Sequence, residues 1–102
     1  MPINISPVNA RGGAASGISV VWDDGQFVVI SAPKGLVACG AIDADVMDKA
    51  NLAVAVSEGT IEHPLVTPDD LLNAKIMRIT SKAMELGIEI GMSGQEALEK
   101  LF

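Results

Sequence analysis

Few residues in this chain of 102 have the chemistry of a reaction centre: one cysteine, one histidine, some clustered acids and several glycine-flanked helix starts. Cys39 lies in GLVACGAID, with Gly40 directly after it and Asp43 closing the stretch. A thiol becomes a nucleophile where a helix N-terminus or a cation favours the thiolate, and a helix opening at Asp43 would follow within one turn. Gly40 would let a small molecule approach the backbone closely. The same cysteine shares a strand face with Val37 and Ala41, where an inert, buried thiol is ordinary. Two readings stand: Cys39 as core packing, and Cys39 as the nucleophile of a thiol-dependent enzyme. The single histidine, His63, stands beside Pro64 in a loop and reads as a surface residue rather than the base of a dyad.

The acids Asp43, Asp45 and Asp48 invite a cation, because hard metals take several carboxylate oxygens. Asp43 is better placed as a helix cap, and acids in a first helical turn already offset the macrodipole. Asp69 and Asp70 after Pro68 have the same explanation, and Asp23-Asp24-Gly25 is a turn without EF-hand spacing. No metal or cofactor is expected. GGAASG lacks the Lys and Ser/Thr of a phosphate loop. In GMSG, by contrast, Gly91 and Gly94 frame a helix start whose N–H groups would hold a carboxylate or phosphate, unless Ser93 and Glu96 satisfy them as a capping box. The binding candidates are therefore Cys39, Gly40, Asp43, Ser93 and Gly94.

The elements that position these residues follow from periodicity. Strands are expected near Ile18–Trp22 and Phe27–Ala32, reversing at Asp23–Gly25, and after a turn at Pro33–Gly35 a covered central strand runs over Leu36–Ile42. Asp43 then caps a short helix with Val46, Met47 and Ala50 on one face, followed by the short buried strand LAVAV and a loop, SEGTIEHPLV. Thr67 and Pro68 open a helix. A longer helix beyond Ala74 would align Ile76, Ile79, Ala83 and Leu86 and stop at Gly87. A last helix begins at Gly94 and runs to the end, with Met92 and Ala97 as its staple. The sum is one α+β domain over 1–102: an N-terminal antiparallel sheet of three or more strands, then mixed short strands with three to four helices packed on one face.

KGLVACGAID and AMELGIEIGMSGQEALEKL together resemble the YunC-like family, a bacterial and archaeal group known as domain of unknown function 1805. The likeness runs from about Ala15 onward, with WDDGQF and SEGTIEHPLV departing from the family pattern. The resemblance implies an α+β domain whose N-terminal strands, here within 1–32, form a tetramerisation sheet. It implies no particular activity.

Composition narrows the function classes. Apolar residues are 49% of the chain and charged ones only 20%, a rich apolar share for so small a body, which points to burial against another subunit. With 3% aromatics and a net charge of −6, the chain lacks both the stacking platforms and the clustered cations that nucleic acids require. No apolar run is long enough for a membrane span or a signal peptide, and one cysteine forms no internal disulfide, so a cytoplasmic homo-oligomer is expected. Three functions remain: a module binding a small molecule or partner near the Cys39–Asp43 turn, a thiol-dependent enzyme, and a structural assembly subunit.

Overall fold

The computed structural model describes residues 3–102. Six strands form one sheet in chain order: β1 (Ile3–Ala10), β2 (Gly13–Trp22), β3 (Gly25–Ala32), β4 (Gly35–Ala38), β5 (Val54–Ser57) and β6 (Ile76–Ile79). All neighbours are antiparallel except β4 and β5, which a crossover through α1 (Ala44–Lys49) makes parallel. Three further helices follow: α2 (Pro68–Asn73), α3 (Ser81–Glu85) and α4 (Gly94–Glu99). This is an α+β fold with its strands concentrated at the N-terminus.

Side chains alternate across the pleat, so the strands β3, β4 and β5 feed two cores. Val28, Ile30, Val37 and Ala55 face α2, α3 and α4, where Leu71, Ala83, Ala97, Leu98 and Leu101 meet them. Val29, Ala38, Val54 and Val56 point the other way and meet Ala44 of α1. Helices therefore lie on both faces, which corrects the one-sided arrangement. The reason is topological: α1 must cross one face to join parallel neighbours, while α2 returns over the other. In α1 the inward residues are Ala44 and Met47, and Val46 and Ala50 are exposed.

Four other corrections concern length and type. Residues Ile3–Ala10, to which no element was assigned, form the edge strand, where Pro7 is tolerated because an edge leaves alternate N–H groups unpaired. The strand over Leu36–Ile42 stops at Ala38, since the Cys39 carbonyl accepts from the Ile42 N–H at 3.1 Å and turns the chain. The single helix over Ile76–Leu86 is a strand followed by a helix. The open side of β5 takes Ile76–Ile79 as a strand, with a register shift in the pairing that lets Ile76 and Ile79 share a face, and Thr80 caps the helix that follows by accepting from the Ala83 N–H. The final helix likewise ends at Glu99, with Leu101 buried beyond it.

Gly87 ends α3 as expected. At φ +96° it takes the left-handed conformation, and the Ile88 and Gly87 N–H groups donate back to the Ala83 and Met84 carbonyls.

Candidate functional site

The chain leaves β4 and β5 in opposite directions. After β4 it passes to α1 on one face; after β5 it passes through residues 58–66 to α2 on the other. Connections that part at the carboxyl ends of adjacent parallel strands open a crevice, the position at which open parallel sheets bind ligands, formed here by the one parallel pair of a mainly antiparallel sheet. A hollow of about 410 Å³ occupies that place, with Gln26, Cys39, Gly40 and Ala41 on the sheet side and Gly59, Thr60, Ile61, Pro64 and Leu65 on the loop side.

Each wall is held locally. The Cys39 N–H donates to the Val28 carbonyl at 3.1 Å, and because the Cys39 carbonyl has turned toward Ile42, the Val28 N–H donates instead to Cys39 Sγ at 3.4 Å. The sulfur thus stands in for a missing ladder acceptor. Cys39 as a residue is 7% exposed, part of the core on one side and of the crevice lining on the other. Opposite, the His63 N–H donates to Thr60 Oγ1 at 2.9 Å and the Thr60 N–H to the His63 carbonyl at 3.2 Å, closing the loop tip. A Cβ at Gly59 would lie 2.8 Å from the Leu65 nitrogen, so the loop returns this tightly only over glycine. The His63 side chain is exposed and is not among the lining residues.

Asp43 serves α1: its Oδ1 accepts from the Asp45 and Val46 N–H groups at 2.9 and 3.3 Å. Asp48 accepts from the Ser81 N–H at 2.7 Å and from its hydroxyl at 3.3 Å, tying α1 to the start of α3. Asp43 and Asp48 thus do separate structural work, Asp45 lies in the first turn of α1, and no cluster of metal-ligating side chains occurs among the described residues.

Ser93 and Gly94 are not part of the crevice. Ser93 Oγ accepts from the Glu96 N–H at 3.1 Å, Glu96 Oε1 accepts from the Ser93 N–H at 3.3 Å, and the Gly94 N–H donates to the Ala74 carbonyl at 2.8 Å. A Cβ at Gly94 would collide with the Leu71 carbonyl, so this glycine serves the contact between α2 and α4.

Sequence reasoning did not single out Gln26, Thr60 or Ser57. Ser57 ends the apolar run of β5 and is fully buried, and its Oγ has no hydrogen-bond partner among the described residues. A hydroxyl closing an otherwise apolar strand was the available signal.

Fold and site define a small α+β domain with a crevice between parting connections. The family profile described as domain of unknown function DUF1805 matches residues 38–101, and the chain belongs to that family. It is 29% identical over 99 residues to the uncharacterised protein YunC of Bacillus subtilis (strain 168), covering 97% of each chain. The crystal structure of a protein of unknown function from Thermoplasma acidophilum has the same fold, with TM-score 0.88 at 21% identity over 99% of this chain and 94% of that one.

Proposed function

We propose that this chain is the subunit of a small oligomeric binding module that takes an uncharged small molecule in the crevice between Cys39–Ala41 and the 58–66 loop. The observation that carries the reading is the position of the hollow, at the carboxyl ends of the parallel pair where the two connections part. Its lining residues carry no formal charge, which disfavours an ionic ligand. Backbone amide resonances of Gly40, Gly59 and Thr60 are expected to shift when the protein is titrated with a panel of uncharged metabolites. Shifts confined to other regions would overturn the reading.

Assembly through residues 1–32 is supported by the sheet face opposite α2 and α4. There Ile5 is 72% and Trp22 48% exposed, beside Ile3 and the half-buried Ile18, Val20 and Phe27. An apolar face of this kind is normally covered in solution, and the family resemblance suggests a tetramer. Light scattering is expected to give an oligomer for the native chain and a smaller species for Ile5→Lys. A monomeric native chain would refute the assembly, whereas an oligomer with an unresponsive crevice would favour a structural subunit. The exposure of Cys39 to the crevice keeps a thiol-dependent reaction as the second reading, with its base supplied by a neighbouring copy. The single free thiol suits a reducing compartment, and we place the protein in the cytoplasm. Among the described residues no helix is long and apolar enough to cross a membrane.

A further inference from the structure

The two ends of the parallel pair carry opposite charge. At the carboxyl ends of β4 and β5 stand the β2–β3 turn with Asp23 and Asp24, the start of α1 with Asp43 and Asp45, and the 58–66 loop with Glu58 and Glu62. The cations at this end are Arg78, paired with Glu58 at 2.9 Å, and Lys75, ahead of β6; His63 is exposed in the loop. At the amino ends the topology gathers five cations: Arg11 in the β1–β2 turn, Lys34 in the β3–β4 turn, Lys49 closing α1, Lys82 in α3 and Lys100 after α4. The Lys34 N–H donates to the Leu101 carbonyl at 2.8 Å, and Arg11 and Lys100 line one hollow, which holds the chain terminus at this end. All five cations are exposed, and none forms an ion pair among the described residues. The acids nearby are engaged within the subunit: Asp48 by Ser81, Glu96 by Ser93 and Glu99 by Gln95.

Each end also has a matching shape. At the acidic end Ile61, beside Glu62, is fully exposed at the tip of the turn that the Thr60–His63 hydrogen bonds close. At the basic end a hollow of about 290 Å³ lies among Ala32, Pro33, Gly35, Leu36, Leu52 and Ala53, with Lys34 as its charged lining residue. Its walls are fixed: the Leu36 N–H donates to the Ala53 carbonyl at 3.0 Å, the Leu52 N–H donates to the Met47 carbonyl at 3.1 Å, and a Cβ at Gly35 would collide with the Ala53 carbonyl. We propose that copies of this chain associate head to tail, with Ile61 of one copy seated in the Pro33–Leu52 hollow of the next and Glu62 facing Lys34. Because the two patches differ, the contact is heterologous and closes a ring or extends a filament instead of stopping at a pair. One apolar knob buries little surface, so the contact is weak, and the opposed charge of the two ends sets its orientation. It is distinct from the open sheet face of residues 1–32, and it sets the next copy against the Ile61 wall of the crevice.

The test is sedimentation velocity of the native chain and of Ile5→Lys over a range of protein and NaCl concentrations. Ile5→Lys, which removes assembly through residues 1–32, is expected to show a mean mass that rises with protein concentration and falls with NaCl. Adding Ile61→Ser is expected to weaken this association roughly tenfold and to leave Tm unchanged, because the side chain is fully exposed in its own subunit. Lys34→Glu is expected to weaken it roughly fivefold, and Lys34→Glu together with Glu62→Lys to recover most of that loss. Ile61→Ser keeps the hollow and Leu52→Glu keeps the knob, so their mixture is expected to form pairs that grow no further. Equal association with and without Ile61→Ser, or association that strengthens with NaCl, would overturn the proposal. If Ile5→Lys is monomeric at every concentration, the head-to-tail contact falls while assembly through residues 1–32 stands. If Ile5→Lys matches the native chain in mass and both dissociate on Ile61→Ser, the contact stands and that assembly falls.

Discussion

The turns Cys39–Asp43 and Met92–Glu96 look alike in sequence: each passes through glycine into a helix capped by a short oxygen side chain. Their surroundings differ. Beside Gly40 the nearest atom to an added Cβ is the movable Glu58 Cγ at 3.5 Å, whereas at Gly94 the Leu71 backbone occupies the space. One glycine borders a crevice and the other lets two helices touch. A glycine next to a helix start thus marks either open space or close approach, and only the neighbouring element decides which.

The sharpest way to break this contrast is substitution of the two glycines. Gly94→Ala is expected to cost about 3 kcal/mol or more, because backbone rather than a flexible side chain must move; urea denaturation measures it, and a loss below about 1 kcal/mol would place the α2–α4 contact wrongly. Thr80→Val comes next, at about 2 kcal/mol, since it leaves the buried Val54 N–H and Leu52 carbonyl without their hydroxyl. Thermal melts should rank it well above Ser93→Ala and Asp43→Ala, which remove one cap each at about 1 kcal/mol.

A smaller effect depends on pH. N–H groups of Thr67 and Val66 hold the Asp70 carboxyl below its usual 3.8. The folded chain therefore keeps Asp70 ionised to lower pH than the unfolded chain does. Its contribution is complete above about pH 3.8 and is lost as pH falls through the folded value. Asp70→Asn is expected to flatten stability against pH in that acid window; an unchanged slope would contradict it. Gly40→Ala should change stability least, within about 0.5 kcal/mol, while reducing ligand shifts at Gly59, a separation that Gly94→Ala cannot show.

Much of this frame was legible because its signals are local. Thr67-Pro68, Ser93 with Glu96, Asp43 and Gly87 each specify a helix end through two to four adjacent residues, and each cap forms as expected. The Asp23–Gly25 reversal was equally plain. Where the expectation failed, two local answers were possible. Ile76 and Ile79 are spaced as a helical stripe, and it is pairing with the open edge of β5, with a register shift that lets residues three apart share a face, that makes a strand. Ile3 and Ile5 alternate, but Pro7 interrupts the pattern, and only pairing with β2 shows the strand.

For the site, Cys39 and Gly40 were found, while Gln26 and Thr60 were not. They are ordinary polar residues whose significance comes from what the fold sets beside them. By itself the sequence determined the caps, the turns, the apolar runs and hence an α+β class, because these depend on backbone preferences over a few neighbouring residues. Tertiary structure decided which strands share an edge, that Gly40 borders open space and Gly94 does not, and that Cys39 lies between the core and the crevice. Those facts belong to contacts between distant segments, which form only when the whole sheet closes.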